Sequence, residues 1–257
     1  MDQSAFDILF KTNAPHILEK IFFSLDYESY KKCHEVCKVW NRLLSSQSMK
    51  KKTKKMLLEN RKNLKRALDK GNTDEAGKIL SMGMVDVNYE MKTFPWTFLH
   101  LSVDKGYPTV VKELLEAGAD VNGATPTGIL PLGKAILRDN IGIAQLLLEK
   151  GANPNKFNKY GYSPLHKAAA KIHKKDMIKL LIEKGAEINK QDISGKTPFK
   201  VATECGNEKA VELLLDMGAD PTIPDSKGET PASWARQRGI RWCNRSKTFF
   251  KSKYQKD

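Results

Sequence analysis

The chain has 257 residues, 40% of them apolar, and a formal net charge of +14, a length that accommodates about two domains. No stretch approaches the roughly 18 apolar residues of a membrane span, which argues against a membrane-crossing helix. Cys33, Cys37, Cys205 and Cys243 have no disulfide-framework spacing, Met1-Asp2-Gln3-Ser4 lacks the features of a secretory signal, and Tyr254-Gln255-Lys256-Asp257 is no prenylation signal. The expectation is a cytoplasmic or nuclear protein in a reducing compartment, with no membrane partner and with the sequon Asn244-Arg245-Ser246 unused.

Residues 1–12 are mixed in character and are expected to be loosely ordered. From Pro15, an admissible first-turn proline, Ile17, Leu18, Ile21, Phe22 and Leu25 fall on one broad helical face. A second short helix is expected from about Ser29, and a third carries Val36, Cys37, Trp40 and Leu43. The string Ala14-Pro15-His16-Ile17-Leu18-Glu19-Lys20-Ile21-Phe22-Phe23-Ser24-Leu25-Asp26, closed by Cys33-His34-Glu35-Val36-Cys37-Lys38-Val39-Trp40, resembles an F-box over residues 13–48. It departs from that family in Ala14, which stands for the opening leucine, and in Tyr30, which stands for another. The resemblance implies docking on the Skp-family adaptor of a cullin–RING ubiquitin ligase. Pro15, Ile17, Leu18, Ile21, Phe22 and Leu25 are then the adaptor-binding residues.

The charge is concentrated in two places. Residues 49–66 carry +8 and residues 236–257 carry +7, so the rest of the chain is close to neutral. Lys50, Lys51, Lys52, Lys54 and Lys55 lie in a basic linker, residues 49–60, whose following Met56, Leu57 and Leu58 predict a helix continuing into the next module. The same basic segments open an alternative in which the chain associates with nucleic acid. Residues 61–90 keep helical apolar spacing, end in Asp86-Val87-Asn88 and read as a degenerate capping repeat.

Beyond residue 90 the pattern is periodic. Asn158 opens a unit that continues Gly161-Tyr162-Ser163-Pro164-Leu165-His166-Lys167-Ala168-Ala169, runs through an apolar helix at Leu180-Leu181-Ile182 and closes at Gly185. The proline recurs at Pro131, Pro164, Pro198 and Pro231, and the closing glycine at Gly118, Gly151, Gly185 and Gly218, with intervals of 33, 34 and 33 in both series. The longer interval places one extra residue between Ile172 and Lys175, in a loop that absorbs it. Phe98 holds the proline position one period earlier. These motifs resemble the ankyrin repeat.

The expected architecture is all-α: a three-helix F-box joined by a basic helical linker to a solenoid of five to six repeats. The repeats fall at residues 91–124, 125–157, 158–191 and 192–224, with a partial capping repeat and basic tail over 225–257. Trp234, Trp242, Phe249 and Phe250 read as the cover for the last repeat's apolar flank.

No catalytic constellation stands out. Gly128-Ile129-Leu130-Pro131-Leu132-Gly133-Lys134-Ala135 has the spacing of a phosphate-binding loop, but Ala135 lacks the metal-binding hydroxyl and no parallel-sheet pattern surrounds it. Cys33, His34 and Cys37 lack a distant fourth ligand for zinc. His100 and His166 occupy the repeat signature, where the resemblance implies a hydrogen-bonding spacer between repeats.

The expectation is a non-enzymatic chain without cofactor or metal, monomeric outside the ligase, that acts as substrate receptor of an SCF-type ubiquitin ligase. The alternatives are an ankyrin scaffold or inhibitor without productive ubiquitination, and a basic nucleic-acid-associated factor. Substrate-binding candidates are the hairpin-tip aromatics Trp96, Phe157, Tyr160 and Tyr162, because exposed loop aromatics are frequent binding anchors. The exposed side of the first helices, at positions such as Lys167, Lys171, Lys200 and Glu204, is the other candidate surface.

Overall fold

The computed structural model describes residues 47–237 apart from 84, 92–95, 160, 172 and 173. The F-box-like segment with its six adaptor-binding residues, Cys33 and Cys37, and the tail aromatics Trp242, Phe249 and Phe250 lie outside the described residues. Among the described residues the regular structure is helical, with no strand, and no helix is long and apolar enough to cross a membrane. The chain divides into two compact units, which among the described residues comprise 47–89 with 112–119, and 90–111 with 120–237.

In the first unit α1 spans Gln47–Lys70 and α2 spans Thr73–Ser81. The α1 segment contains neither glycine nor proline, and Lys65 pairs with Asp69 one turn on at 2.7 Å. The helix therefore passes residue 60, the expected end of the linker, without a break. Gly71, with φ of 74°, ends it. Asn72 then caps α2, its side chain accepting from the Glu75 backbone N–H at 3.1 Å. Leu64, Ala67 and Leu68, at the i, i+3, i+4 spacing of one face, are buried, as are Ala76, Ile79 and Leu80 of α2, against which α1 packs. Lys51, Lys52, Lys54 and Lys55 are exposed.

The second unit repeats one design. Its first helices are α3 Phe98–Lys105, α5 Pro131–Arg138, α7 Pro164–Ala169, α9 Pro198–Glu204 and α11 Pro231–Gln237. The second helices are α4 Pro108–Glu116, which crosses between the units, α6 Ile141–Glu149, α8 Lys175–Glu183 and α10 Glu208–Asp216. Proline opens α5, α7, α9 and α11 because the first turn needs neither its missing N–H nor any φ other than its own. Thr97, Ser163 and Thr197 cap α3, α7 and α9 through their hydroxyls, whereas Leu130 ahead of α5 makes no side-chain cap bond.

The turn between paired helices needs a left-handed residue, and Asp139, with φ of 58°, fills the role that Gly106 and Gly206 fill elsewhere. Before α8, where the sequence carries its extra residue, Lys174 gives no side-chain cap, while Asn140 and Asn207 cap α6 and α10. First helices pack on first helices from α3 to α11, and α6 and α10 both pack on α8. Phe98, Leu99, Val103, Ile136, Leu147, Leu165, Leu181, Phe199 and Leu214 are buried to 2% exposure or less in the resulting core. Truncating any of the leucines to alanine is expected to cost about 2–5 kcal/mol.

Candidate interaction surface of the second unit

Adjacent repeats are joined through the signature position of each first helix. The Ser163 hydroxyl lies 2.7 Å from His166 Nδ1, and His166 Nε2 lies 2.8 Å from the Lys196 carbonyl in the next repeat. His100 repeats this with Thr97 at 2.9 Å and the Ile129 carbonyl at 3.0 Å. The carbonyl can only accept, so Nε2 carries the proton and Nδ1 accepts, which the Ser163 backbone N–H pointing at His166 Nδ1 also requires. Burial lowers both pKa values below the ordinary histidine value, outweighing the backbone acceptors, so the rings bridge as neutral imidazoles. The spacer role implied for His100 and His166 is what the geometry shows.

At the same position in the following repeat stands Lys200, which is wholly buried rather than on the exposed side of its helix. Its ammonium reaches the Glu229 and Thr230 carbonyls at 3.4 Å and Asp225 at 3.5 Å, with Trp234 of α11 alongside at 5.9 Å from the ring centroid. The long side chain carries its charge into the pocket where histidine would have ended. Asp225, itself buried, is stabilised as a carboxylate. Burial pushes its pKa up, but hydrogen bonds from the Glu229 and Lys227 backbone and the nearby Lys200 outweigh that and hold it low.

The hairpin tips are built alike. Thr125, Asn158, Asp192 and Asp225 each close a turn by donating a backbone N–H to the carbonyl four residues on, at 2.9–3.1 Å, and their side chains accept from the returning strand of backbone. Below the tips, Asn122 and Asn155 donate to the carbonyls of Gly151 and Gly185 and accept from the backbone of the next repeat, at 2.8–2.9 Å. Tips stack closely enough that a Cβ on Gly195 would come within 2.6 Å of the Ser226 backbone nitrogen. Gly128 is a tip residue with φ of 76°, and Gly133 lies inside α5, so the two glycines of the loop-like string belong to different elements.

The predicted tip aromatics separate on this frame. Phe157 and Tyr162 are each 38% exposed, with Lys190 5.7 Å from the Phe157 ring centroid and the Tyr162 ring edge-on to His166 at 6.1 Å. Trp96 is half-buried beneath the Lys134 ammonium, 4.1 Å from its centroid. Tyr160 lies outside the described residues. Ile193, 79% exposed and stacked against Gly161, extends the apolar edge. Sequence reasoning missed it because a lone isoleucine in Asp192-Ile193-Ser194-Gly195 carries no aromatic signal. Among the described residues no group of three His, Cys, Asp or Glu side chains is placed to hold a metal ion. Cys205 is an exposed residue whose thiol is partly desolvated, and that desolvation together with nearby Glu204 raises its pKa, which disfavours the reactive thiolate.

A family model described as ankyrin repeats (3 copies) matches two segments, residues 42–158 and 155–225. The chain belongs to the ankyrin-repeat family. It is similar to an ankyrin repeat protein of fowlpox virus, 35% identical over 107 residues, which cover 40% of this chain and 31% of that protein. It is also similar to the mouse B-cell lymphoma 3 protein homolog, 34% identical over 124 residues (47% of this chain, 27% of the relative), and to human ankyrin repeat and SOCS box protein 3, 35% identical over 122 residues (46% and 23%). The match thus spans less than a third of the length of each of these relatives. Ankyrin repeats imply protein–protein interaction, and the exposed tips and first helices are the surface available for it.

Proposed function

We propose that this protein is a non-catalytic substrate receptor of an SCF-type ubiquitin ligase, which docks on a Skp-family adaptor through its F-box-like N-terminal segment and captures a protein with its repeat stack. The observation that carries the reading is the union in one chain of the Pro15–Trp40 motif with an ankyrin stack whose tips leave Phe157, Tyr162 and Ile193 exposed. The name of the human relative likewise joins ankyrin repeats to a separate box module. Such a receptor contributes proximity rather than a nucleophile, raising the effective concentration of substrate at a conjugating enzyme recruited elsewhere. It works as a monomer in the cytoplasm or nucleus.

Replacing Leu18 and Ile21 together by alanine tests the reading. Co-purification with a Skp-family adaptor should be lost while the helical circular dichroism of the repeat stack is kept; unchanged adaptor binding overturns it. A scaffold or inhibitor would bind both partners and leave substrate turnover unchanged. The exposed lysines of α1, from Lys51 to Lys55, favour a second reading in which the chain associates with nucleic acid. That binding would collapse between low and moderate salt and show no sequence preference.

A further inference from the structure

The ladder of bridging side chains has one gap. Between His100 and His166, where the register calls for the next signature residue, stands Gly133. Lys167, from the neighbouring helix α7, lies across it. Its ammonium would sit 3.0 Å from a Cβ built on Gly133, and its Cδ 4.0 Å. The Lys167 ammonium makes no hydrogen bond or ion pair among the described residues, and desolvation alone lowers its pKa. Its basic neighbours differ in this respect. Lys134 and Arg138 both bind Asp104, at 2.8 and 2.7 Å, and that pairing holds the Asp104 carboxyl low against the upward pull of its own burial.

The surroundings select a ligand chemistry. Lys105, Lys134, Arg138, Lys167 and Lys171 lie on α3, α5, α7 and the turn after α7. These helices carry one acid, Asp104, already bound by two of the basic side chains. Of the acids flanking these helices, Asp139 pairs with Lys174 and Glu204 with Lys196, each at 2.6 Å. One turn beyond Lys134, Leu137 is 47% exposed amid these charges. A half-buried cation without a counter-ion, beside an apolar side chain, is complementary to an acidic segment that carries an apolar residue.

We propose that this strip, centred on Lys167 over Gly133, takes an acidic peptide segment of the captured protein, with a glutamate or aspartate carboxylate on the Lys167 ammonium and an apolar side chain on Leu137. The inference rests on the receptor reading for the source of the peptide, but not for the existence of the site.

The test uses the full chain and a fluorescein-labelled peptide with the core Glu-Glu-Leu-Glu-Glu, compared with its Gln-Gln-Leu-Gln-Gln counterpart by fluorescence anisotropy. The acidic peptide should bind at least tenfold more tightly than the neutral one. Lys167→Met should abolish that preference, and Lys167→Arg should retain most of it. In the parent chain, acylation of Lys167 by an amine-reactive ester at pH 7, read by mass spectrometry, should be slowed by the acidic peptide alone. Equal binding of the two peptides, an unaltered preference in Lys167→Met, or unprotected acylation overturns the proposal. The acylation readout decides the matter even if a substituted chain folds poorly. Adaptor co-purification by the same preparations separates the two ideas: its loss with peptide preference intact removes the receptor reading and leaves the site, and the reverse removes the site.

Discussion

The junctions on either side of α7 lie in one register and are closed by different means. Towards α9, His166 spans the gap with a neutral ring that satisfies the Lys196 carbonyl at 2.8 Å and is itself held by Ser163. Towards α5, Gly133 provides no bridge, and Lys167 covers the space with a flexible chain whose ammonium finds no partner. The first arrangement spends every polar group on holding two repeats together. The second leaves a charge over, so stability and binding capacity are divided between neighbouring junctions rather than shared equally along the stack.

The largest effect is expected one junction further on, where the bridge is charged. Lys200→Met leaves buried Asp225 without its nearby cation and removes one donor from each of the Glu229 and Thr230 carbonyls, which keep the backbone N–H groups of Asp225 and Trp234. The loss should be about 3 kcal/mol in urea unfolding, since removing one member of a buried pair strands the other. A change below 1 kcal/mol would mean that the backbone hydrogen bonds to Asp225 suffice by themselves.

His166→Ala should cost about 2 kcal/mol, from a small cavity and from the loss of the inter-repeat donor to the Lys196 carbonyl, which keeps only the Asp192 backbone N–H. The matching change at the open junction, Lys167→Ala, should cost much less. If the two losses are equal, the contrast between the junctions is a matter of appearance.

Acid should weaken the bridged junctions selectively. Burial holds the folded pKa of His100 and His166 below the ordinary value of 6.5, so below about pH 6.5 the unfolded chain takes up protons that the folded chain refuses. The melting temperature should fall from pH 7.5 to 5.5, and the double change His100→Gln and His166→Gln should flatten that slope. A slope that survives both replacements would assign the acid sensitivity to other groups.

Gly133→Ala should stabilise the stack slightly, by about 0.5 kcal/mol, because alanine favours the helix by up to about 1 kcal/mol while the new methyl has only the mobile end of Lys167 to displace. Ile193→Ser should change the unfolding free energy by less than about 0.5 kcal/mol, as befits a side chain 79% exposed, while reducing capture of any partner that uses the tips. Destabilisation by either change would show that the position is packed more firmly than its surroundings imply.

The sequence by itself determined the repeat register. Proline can open a helix at little cost and glycine can turn left-handed where other residues resist, so Pro131, Pro164, Pro198 and Pro231 mark helix starts, and Gly151, Gly185 and Gly218 take φ values of 91°, 89° and 94°. These are properties of single residues and their immediate neighbours, which a linear pattern records. The bridging role of His100 and His166 was legible for a related reason, since the signature places the ring at a fixed point of each repeat.

What a residue meets some thirty positions away was decided only by the tertiary structure. Lys200 reads as an exposed helix lysine and is buried, because its ammonium meets the carbonyls of Glu229 and Thr230 and the carboxylate of Asp225. Trp96 reads as a free anchor and is covered by Lys134, whereas Phe157 and Tyr162 remain partly exposed. Gly133 and Lys167 gain their joint meaning only when α5 and α7 pack side by side. Local propensity fixes where helices begin and end, but burial, pairing and leftover charge depend on which side chains the stacking brings face to face.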